Sequence, residues 1–189
     1  MTQPVRQRFT FEEYVQLDED TGYKHEYLNG VVWAMAGGSP DHAAIAGNVL
    51  TLLNNALRDQ RCRAFTSDLR VRIKATGLGT YPDVSVVCDQ LELDPEDPKG
   101  HTVVNPRVLV EVLSPSTEEY DRGEKLEHYK TIPSLHEVML VAHDRRQVEL
   151  WQRHGDKWVR SEALEHDTVE LESLGCRLSV AEIYRDPLT

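Results

Sequence analysis

Three shortages in this 189-residue sequence narrow the range of functions. Cysteine occurs only at Cys62, Cys88 and Cys176, and no two of these form a C-x-x-C pair, so we expect neither a zinc ribbon nor a redox dithiol. Cys88 ends an apolar run and is expected to act as a small buried hydrophobe. No apolar run approaches the ~20 residues that span a bilayer, so no membrane partner is expected. The amino-terminal residues lack the apolar core of a signal peptide, which favours a cytoplasmic location.

Positive charge is also scarce, because 21 lysines and arginines stand against 32 aspartates and glutamates and leave a net charge of −11. This balance argues against a protein that binds nucleic acid by charge alone, since phosphate contacts need Lys and Arg. A nuclease with a local basic face on an acidic body is still compatible with it. The length and the hydrophobic content of 40% favour one globular domain over residues 1–189.

Two apolar runs, each with one carboxylate, are typical of buried strands. The first follows Asp83 and covers residues 84–88, and the second covers residues 108–113 with Glu111 in its middle. A lone carboxylate inside a packed sheet is costly unless it is paired or bound to a metal. On neighbouring strands, Asp83 and Glu111 would each make the other hard to ionise, and Mg²⁺ or Mn²⁺ would resolve that conflict. The alternative is structural: Asp83 caps a turn and Glu111 pairs with a core arginine.

Capping and turn signals predict the first elements of the chain. Thr10 and Glu13 form a capping box for a helix from Phe11 to about Leu17. Asn29-Gly30 predicts a two-residue hairpin turn between two short strands.

Two candidate site residues follow from this part of the chain. Glu26, in the first arm of the hairpin, is either a solvated strand carboxylate or a third oxygen ligand beside the acidic pair. Ser39 and Pro40 suit the N-cap and the first position of the longest helix. His42, in the first turn of that helix, is either a surface residue or a group that faces the carboxylates.

Residues 68–74 alternate between charged and apolar side chains, which predicts a strand. Arg70 and Arg72 fall on the basic side with Lys74. This row is either an ordinary solvated face or a contact for a phosphate backbone. The acidic, proline-bearing stretch at 89–105 predicts a surface excursion or a short helix.

Ser114-Pro115 ends the second acidic strand, and a helix is expected from about Ser116 or Thr117 to about Thr131. Asp121, Lys125 and Tyr129 are spaced i, i+4, i+8, so they share one face of that helix. This face either carries a solvent-exposed ion pair or points inward, where Lys125 would supply a positive charge beside the two carboxylates.

The carboxyl-terminal part predicts an antiparallel meander over residues 137–142, 147–151 and 157–159. Its hydrophobic faces either close the sheet or support a dimer. The tail, residues 168–184, predicts one short strand and a short helix that begins near Ser179.

Several of these segments together resemble a known family. They are Glu26 in the context Tyr27-Leu28-Asn29-Gly30, Ser39-Pro40-Asp41-His42, Pro82-Asp83, Glu111-Val112-Leu113-Ser114-Pro115-Ser116-Thr117, Asp121-Arg122-Gly123-Glu124-Lys125 and Tyr129. The set resembles the Uma-type restriction endonucleases, long catalogued as a domain of unknown function within the PD-(D/E)XK nuclease superfamily. The resemblance runs from about Thr10 to Tyr184, and its specific part is the segment from Glu111 to Thr117 together with the downstream segment from Asp121 to Lys125.

The resemblance implies a restriction-endonuclease-like α/β fold, of the mixed α+β kind, in which a central mixed sheet is flanked by helices; the meander adds to this at the carboxyl end. It also implies Mg²⁺-dependent hydrolysis of phosphodiester bonds, with Asp83, Glu111 and Glu26 as metal ligands. The superfamily has a lysine two residues after the second acid, where this chain has Leu113. Lys125, from the following helix, is the expected replacement.

These expectations define a complete candidate site. Its catalytic residues are Asp83, Glu111, Lys125 and Glu26, its supporting residues are His42, Asp121 and Tyr129, and its candidates for nucleic-acid contact are Arg70 and Arg72. The expected substrate is nucleic acid, with DNA preferred, and the expected assembly is a homodimer, since two sites would serve to cut both strands of a duplex. The alternative function is a catalytically inactive module that keeps the fold and serves nucleic-acid binding or assembly.

Overall fold

The computed structural model describes residues 8–35 and 37–186. The helices are α1 (Phe11–Thr21), α2 (Pro40–Ala56), α3 (Glu118–Arg122), α4 (Glu124–Lys130) and α5 (Val180–Ile183), with a 3₁₀ turn at Glu172–Leu174. The strands are β1 (His25–Leu28), β2 (Val31–Ala34), β3 (Cys62–Thr66), β4 (Arg70–Ile73), β5 (Leu78–Thr80), β6 (Val84–Cys88), β7 (Thr102–Val103), β8 (Val108–Val112), β9 (Glu137–Val141), β10 (Gln147–His154), β11 (Lys157–Leu164), β12 (Thr168–Leu171) and β13 (Cys176–Ser179). Residues 1–7, on which the expectation about a signal peptide rests, lie outside the described residues. Within the described ranges, none of the helices has the length and apolar character that crossing a bilayer requires.

The local signals at the start of the chain are confirmed. The Glu13 amide donates to the Thr10 hydroxyl at 3.1 Å and the Thr10 amide donates to the Glu13 carboxylate at 2.7 Å, which completes the capping box of α1. The helix continues to Thr21, beyond the predicted end. Asn29 and Gly30 have φ angles of 49° and 92°, so both occupy the left-handed region that a tight hairpin turn between β1 and β2 requires.

A six-stranded mixed sheet, in the order β11-β10-β9-β8-β6-β3, forms the centre of the fold. Only β8 and β9 run parallel in it, and the other neighbours are antiparallel. Alternate residues of β8 face opposite sides. Val110 packs into the cluster that includes Val49 of α2, whereas Leu109 packs into the cluster that includes Leu126 of α4. The sheet is therefore covered by α2 on one face and by α4 on the other, as expected for a sheet flanked by helices.

A second, five-stranded sheet has the order β2-β1-β5-β4-β7 and packs beneath α1. Phe11 and Tyr14 of α1 form a small aromatic cluster with Tyr27 of β1. Strand β7 lies in the segment that was expected to be a surface excursion or short helix. It runs parallel to β4 with Arg70 opposite Thr102, so the last part of this segment adds a strand to the sheet. Most residues from 89 to 101 are exposed, as expected for a surface excursion, although Asp94 and Asp97 are buried.

Three further expectations are corrected by the structure. The helix expected from about Ser116 to Thr131 is broken into α3 and α4 at Gly123, where an added Cβ would lie 2.9 Å from the Glu119 carbonyl oxygen. The tail has two strands, β12 and β13, rather than one. Cys88 is not a free buried thiol, because it lies opposite Cys62 across β3 and β6 and forms a disulfide with it.

Candidate active site

The two acidic strands are neighbours, as the sequence predicts. Strands β6 and β8 pair antiparallel with Val84 opposite Val110, so Asp83, one residue before β6, lies at the level of Glu111. The Asp83 carboxylate accepts a hydrogen bond of 2.7 Å from the Val112 amide, which fixes it against the end of β8. Because opposite residues of an antiparallel pair share a face, this register aims Asp83 and Glu111 to the same side of the sheet.

Lys125 of α4 turns inward and ends among carboxylates. Its Nζ lies 3.0 Å from Glu111 Oε1, 3.2 Å from Glu26 Oε1 and 3.3 Å from Asp121 Oδ1. Lys125 itself is only 4% exposed. The predicted reach of this lysine from the helix after β8 to Glu111 is thus present.

Glu26 approaches from the other sheet. It lies on β1, is buried, and accepts a hydrogen bond from the Thr80 hydroxyl of β5 in addition to its ion pair with Lys125. The solvated-strand interpretation of Glu26 is therefore wrong. The Lys125 ammonium joins the two sheets by contacting Glu26 in one and Glu111 in the other.

Asp121 and Tyr129 flank Lys125 on the helical face that their spacing predicts. Tyr129 is fully buried and its hydroxyl donates a hydrogen bond to Glu111. Asp121 is buried in α3, one turn before Lys125. These contacts exclude the alternative in which this face is a solvent-exposed ion pair.

The cluster around Lys125 carries more negative than positive charge, and this imbalance affects the pKa of Glu111. Burial, as the largest cause, together with the nearby charges of Asp121 and Asp83, raises the pKa of Glu111 to about 8 against the opposing effect of Lys125. Burial also disfavours the charged form of Lys125, but the carboxylates around it outweigh this and raise its pKa. An additional cation would relieve the remaining repulsion among the carboxylates.

His42 reaches Asp83 from the first turn of α2. Its Nε2 lies 3.2 Å from Asp83 Oδ2, and the hydrogen bond to Asp83 raises the pKa of the imidazole above its ordinary value. Helix α2 is held at this point by Ser39, whose hydroxyl accepts from the His42 amide. An added Cβ at Gly38 would lie 2.6 Å from His42 Nδ1, so a glycine is needed there for the ring to take this position.

The sequence matches the model of the Uma2 family, described as "Putative restriction endonuclease", over residues 11–181. The chain belongs to the Uma2 family. This confirms the resemblance drawn from the sequence, and it supports a restriction-endonuclease-like nuclease as the general class.

Two relatives from Synechocystis sp. match over most of their length. One, described as "Uncharacterized protein slr1290", is 40% identical over 176 residues, which cover 92% of this chain and 90% of the relative. The other, described as "Uncharacterized protein sll1609", is 33% identical over 156 residues, which cover 82% of this chain and 87% of the relative.

A solved structure shares the fold of this Uma2 protein. It is a crystal structure from Anabaena variabilis, described as "a putative nuclease belonging to DUF820", and it superposes with a TM-score of 0.73. The match covers 93% of this chain and 97% of that chain, at 20% sequence identity. At this identity the likeness concerns the fold, and it confirms the predicted mixed α/β architecture.

The donor set of the Uma2 site suits a hard divalent cation. Asp83 and Glu111 offer carboxylate oxygens, and Mg²⁺ is commonly held by one or two carboxylates with water in its remaining positions. Glu26 is already engaged by Thr80 and Lys125. Across the described residues, no group of three or more His, Cys, Asp or Glu side chains is arranged to hold a metal ion. The fit therefore rests on the Asp83–Glu111 pair and on the excess negative charge around it.

Arg70 and Arg72 lie away from the acidic pair and are covered, so the solvated-face interpretation is wrong for these two residues, whereas Lys74 in the same row is exposed. Arg70 is 2% exposed, with Nη2 2.9 Å from Asp18 Oδ2 and Nη1 3.5 Å from Asp97 Oδ2. Arg72 packs on the ring of Phe11, 3.5 Å from its centroid. Strand β4 is internal to its sheet, and α1 and the segment around β7 cover its basic side. Arg70 is therefore held away from any phosphate in this arrangement.

Sequence reasoning missed Thr80 and Tyr120. Thr80 ends the short strand β5, in a stretch with glycines at 77 and 79 where no periodic pattern marks a strand. Tyr120 lies in α3, and its pKa is raised by burial and then by the charge of Glu26. In the sequence, the only indication that Tyr120 belongs to the site is its position directly before Asp121.

Proposed function

We propose that this protein is a Mg²⁺- or Mn²⁺-dependent endonuclease that hydrolyses phosphodiester bonds of nucleic acid, with DNA as its substrate, and that it acts as a cytoplasmic homodimer. The observation that carries the proposal is the contact of Lys125 with Glu111 at the level of Asp83. Membership of a family described as restriction endonucleases supports the same class of reaction.

Asp83 and Glu111 would hold the metal ion, and Glu26, which contacts Lys125 beside them, would be the third ligand. A bound Mg²⁺ polarises a phosphoryl oxygen and lowers the pKa of its water. The residues of the chain then have separate tasks. Glu111 is held by Tyr129 and Lys125, and Asp83 is held by the Val112 amide and His42, so both carboxylates are positioned before substrate binds.

Lys125 would orient the attacking water and offset the negative charge that develops on the phosphoryl oxygens. Its raised pKa keeps it cationic at neutral pH, which suits electrostatic stabilisation rather than proton abstraction. Asp121 and Tyr129 position the ammonium group. His42, which is partly exposed beside Asp83, would contact a substrate phosphate.

The test is cleavage of supercoiled plasmid DNA with Mg²⁺, with Mn²⁺ and with a chelator. We expect wild-type protein to nick or linearise the plasmid with either metal, and Asp83→Asn and Lys125→Met each to lower the rate by at least ~100-fold. Asp59→Asn and Lys99→Met remove the same groups from exposed positions and should cleave at the wild-type rate. Cleavage by folded Asp83→Asn protein at the wild-type rate would rule out this site.

One observation favours the second candidate function, a nuclease-fold module without catalysis. The Lys125 ammonium already neutralises part of the carboxylate cluster, so the buried site does not depend on a metal for folding. Titration with Mn²⁺ separates the two functions. Binding that is lost in Asp83→Asn and in Glu111→Gln supports the nuclease, whereas DNA binding without Mn²⁺ binding or cleavage supports the module.

A further inference from the structure

Strand β11 ends the six-stranded sheet and presents a long edge. It has eight residues, pairs with β10 on one side, and is the terminal strand in the sheet order. Val159 and Leu164 on this strand are 51% and 56% exposed. An exposed edge strand of this length is a template for pairing with another strand, unless its side chains oppose it.

The outward backbone groups of β11 can be assigned from Leu164. Its amide donates to Asp167 Oδ2 at 2.8 Å, and its carbonyl accepts from the Asp167 amide at 2.8 Å, so both groups point away from β10. Hydrogen-bonding direction alternates along an antiparallel strand. The amide and carbonyl groups of Glu162 and Arg160 therefore also point to the open edge, while Asp167 ends the available stretch at Leu164.

We propose that this edge binds a second copy of the chain, with the two β11 strands antiparallel about a two-fold axis at Ser161. In this register Arg160 of each protomer lies opposite Glu162 of the other. The inference specifies the surface of the proposed homodimer and does not depend on nuclease activity.

Charge selects this register over its neighbours. Shifting the axis to Arg160 would place two arginines opposite each other, and shifting it to Glu162 would place two glutamates opposite each other. Like charges directly opposite across a strand pair are destabilising, and opposite charges are stabilising. Arg160 already contacts Glu162 within the chain, and the two side chains are still 46% and 42% exposed at the edge, so both can also contact a second copy.

The apolar residues match in the same register. Val159 would face Ala163 of the second copy, on the side of the sheet where Ala163 already belongs to the buried cluster. Trp158 would face Leu164 on the other side, where Trp158 packs against the second cluster. Pairing therefore covers the two exposed apolar residues of the strand as well as its free backbone groups.

Sedimentation velocity over a series of protein concentrations tests the proposal with charge reversals. We expect wild-type protein to dimerise, and Arg160→Glu and Glu162→Arg each to weaken the dimer by ~100-fold, because each creates two like-charged pairs. Mixing the two variants should restore a dimer, since both charge pairs of the mixed assembly are then opposite in sign. Glu170→Arg, a reversal at an exposed position on β12, should dimerise like wild type.

Each outcome decides the proposal. A wild-type protein that stays monomeric, or a Glu162→Arg variant that dimerises as tightly as wild type, would overturn it, and so would a mixture that stays monomeric although both variants are folded. Arg160 also contacts Glu149 at 2.8 Å, so Arg160→Glu is checked by circular dichroism. If it unfolds, the double variant Arg160→Glu/Glu162→Arg replaces it: recovery of the dimer supports the register, and failure to recover it in the folded double variant overturns it.

Discussion

Lys125 Nζ and Glu111 Oε1 lie 3.0 Å apart, although the first belongs to a helix and the second to a central strand. Both side chains are buried, so their contact is screened little by solvent. The break at Gly123 separates α4 from α3 and lets two short helices, rather than one long helix, cover this part of the sheet. The position of the lysine thus depends on the packing of α4 and on the charges that receive it.

Replacing Lys125 by Met should destabilise the protein strongly. Glu111, Glu26 and Asp121 would then be buried without their shared cation, and breaking a buried ion pair from one side costs about 3–5 kcal/mol. Urea unfolding measures the change. Adding Glu111→Gln to Lys125→Met should recover part of the loss. A loss in the double variant equal to the sum of the losses in Lys125→Met and Glu111→Gln would show that the two residues are not coupled.

Arg70→Met should act on stability and not on nucleic-acid contact. Asp18 and Asp97 would lose a buried partner, for an expected loss of about 3–5 kcal/mol in the free energy of unfolding. Arg61→Met, at an exposed position, should change it by less than about 0.5 kcal/mol. DNA affinity per folded molecule should be unchanged in both variants. A selective loss of affinity in folded Arg70→Met protein would show that Arg70 contributes to DNA binding.

Asp97 should make stability fall in acid. Burial alone would raise the pKa of Asp97, but hydrogen bonds from the Thr102 hydroxyl and the amides of Lys99 and His101 outweigh it and lower the pKa. Because the folded pKa is depressed, its contribution is present above the unfolded pKa of ~3.9 and is lost as pH falls through the folded pKa.

The comparison of wild type with Asp97→Asn isolates this group. The stability advantage of wild type should be full at neutral pH and should shrink as pH falls below about 4. Urea unfolding at a series of pH values measures it. A stability difference between wild type and Asp97→Asn that stays constant with pH would mean that folding does not lower the pKa of Asp97.

Glu149 should anchor α3 to the central sheet. This buried carboxylate of β10 accepts from Arg122 of α3, from Arg160 at 2.8 Å and from the Trp151 indole at 2.6 Å. Glu149→Gln should lower stability by about 1–3 kcal/mol, because charged hydrogen bonds are weakened. Glu170→Gln, on an exposed part of β12, should have little effect on thermal unfolding. Similar losses of stability in the two variants would show that Glu149 does not anchor α3 to the sheet.

Local and nearest-neighbour signals were sufficient for much of this fold. The capping box at Thr10, the turn at Asn29-Gly30 and the start of α2 at Pro40 depend on a few adjacent residues, and each is present. The pairing of the strands next to Asp83 and around Glu111 also followed from their apolar character, since a central strand needs neighbours of the same kind.

Features set by distant packing were not predictable in the same way. The alternation of residues 68–74 identifies two faces, but whether the polar face is covered depends on α1 and β7, which are remote in sequence. The disulfide between Cys62 and Cys88 depends on the register of β3 against β6. The break at Gly123 depends on one close approach to the Glu119 carbonyl, which no periodicity records.

The most direct measurement of the proposed site is anomalous scattering from crystals soaked in Mn²⁺. We expect a manganese peak within coordination distance of carboxylate oxygens of both Asp83 and Glu111, and we expect it to be absent from crystals of Asp83→Asn soaked in the same way. A fully soaked wild-type crystal with no peak between these two residues, or with its peak bound to other side chains, would contradict the proposed metal site.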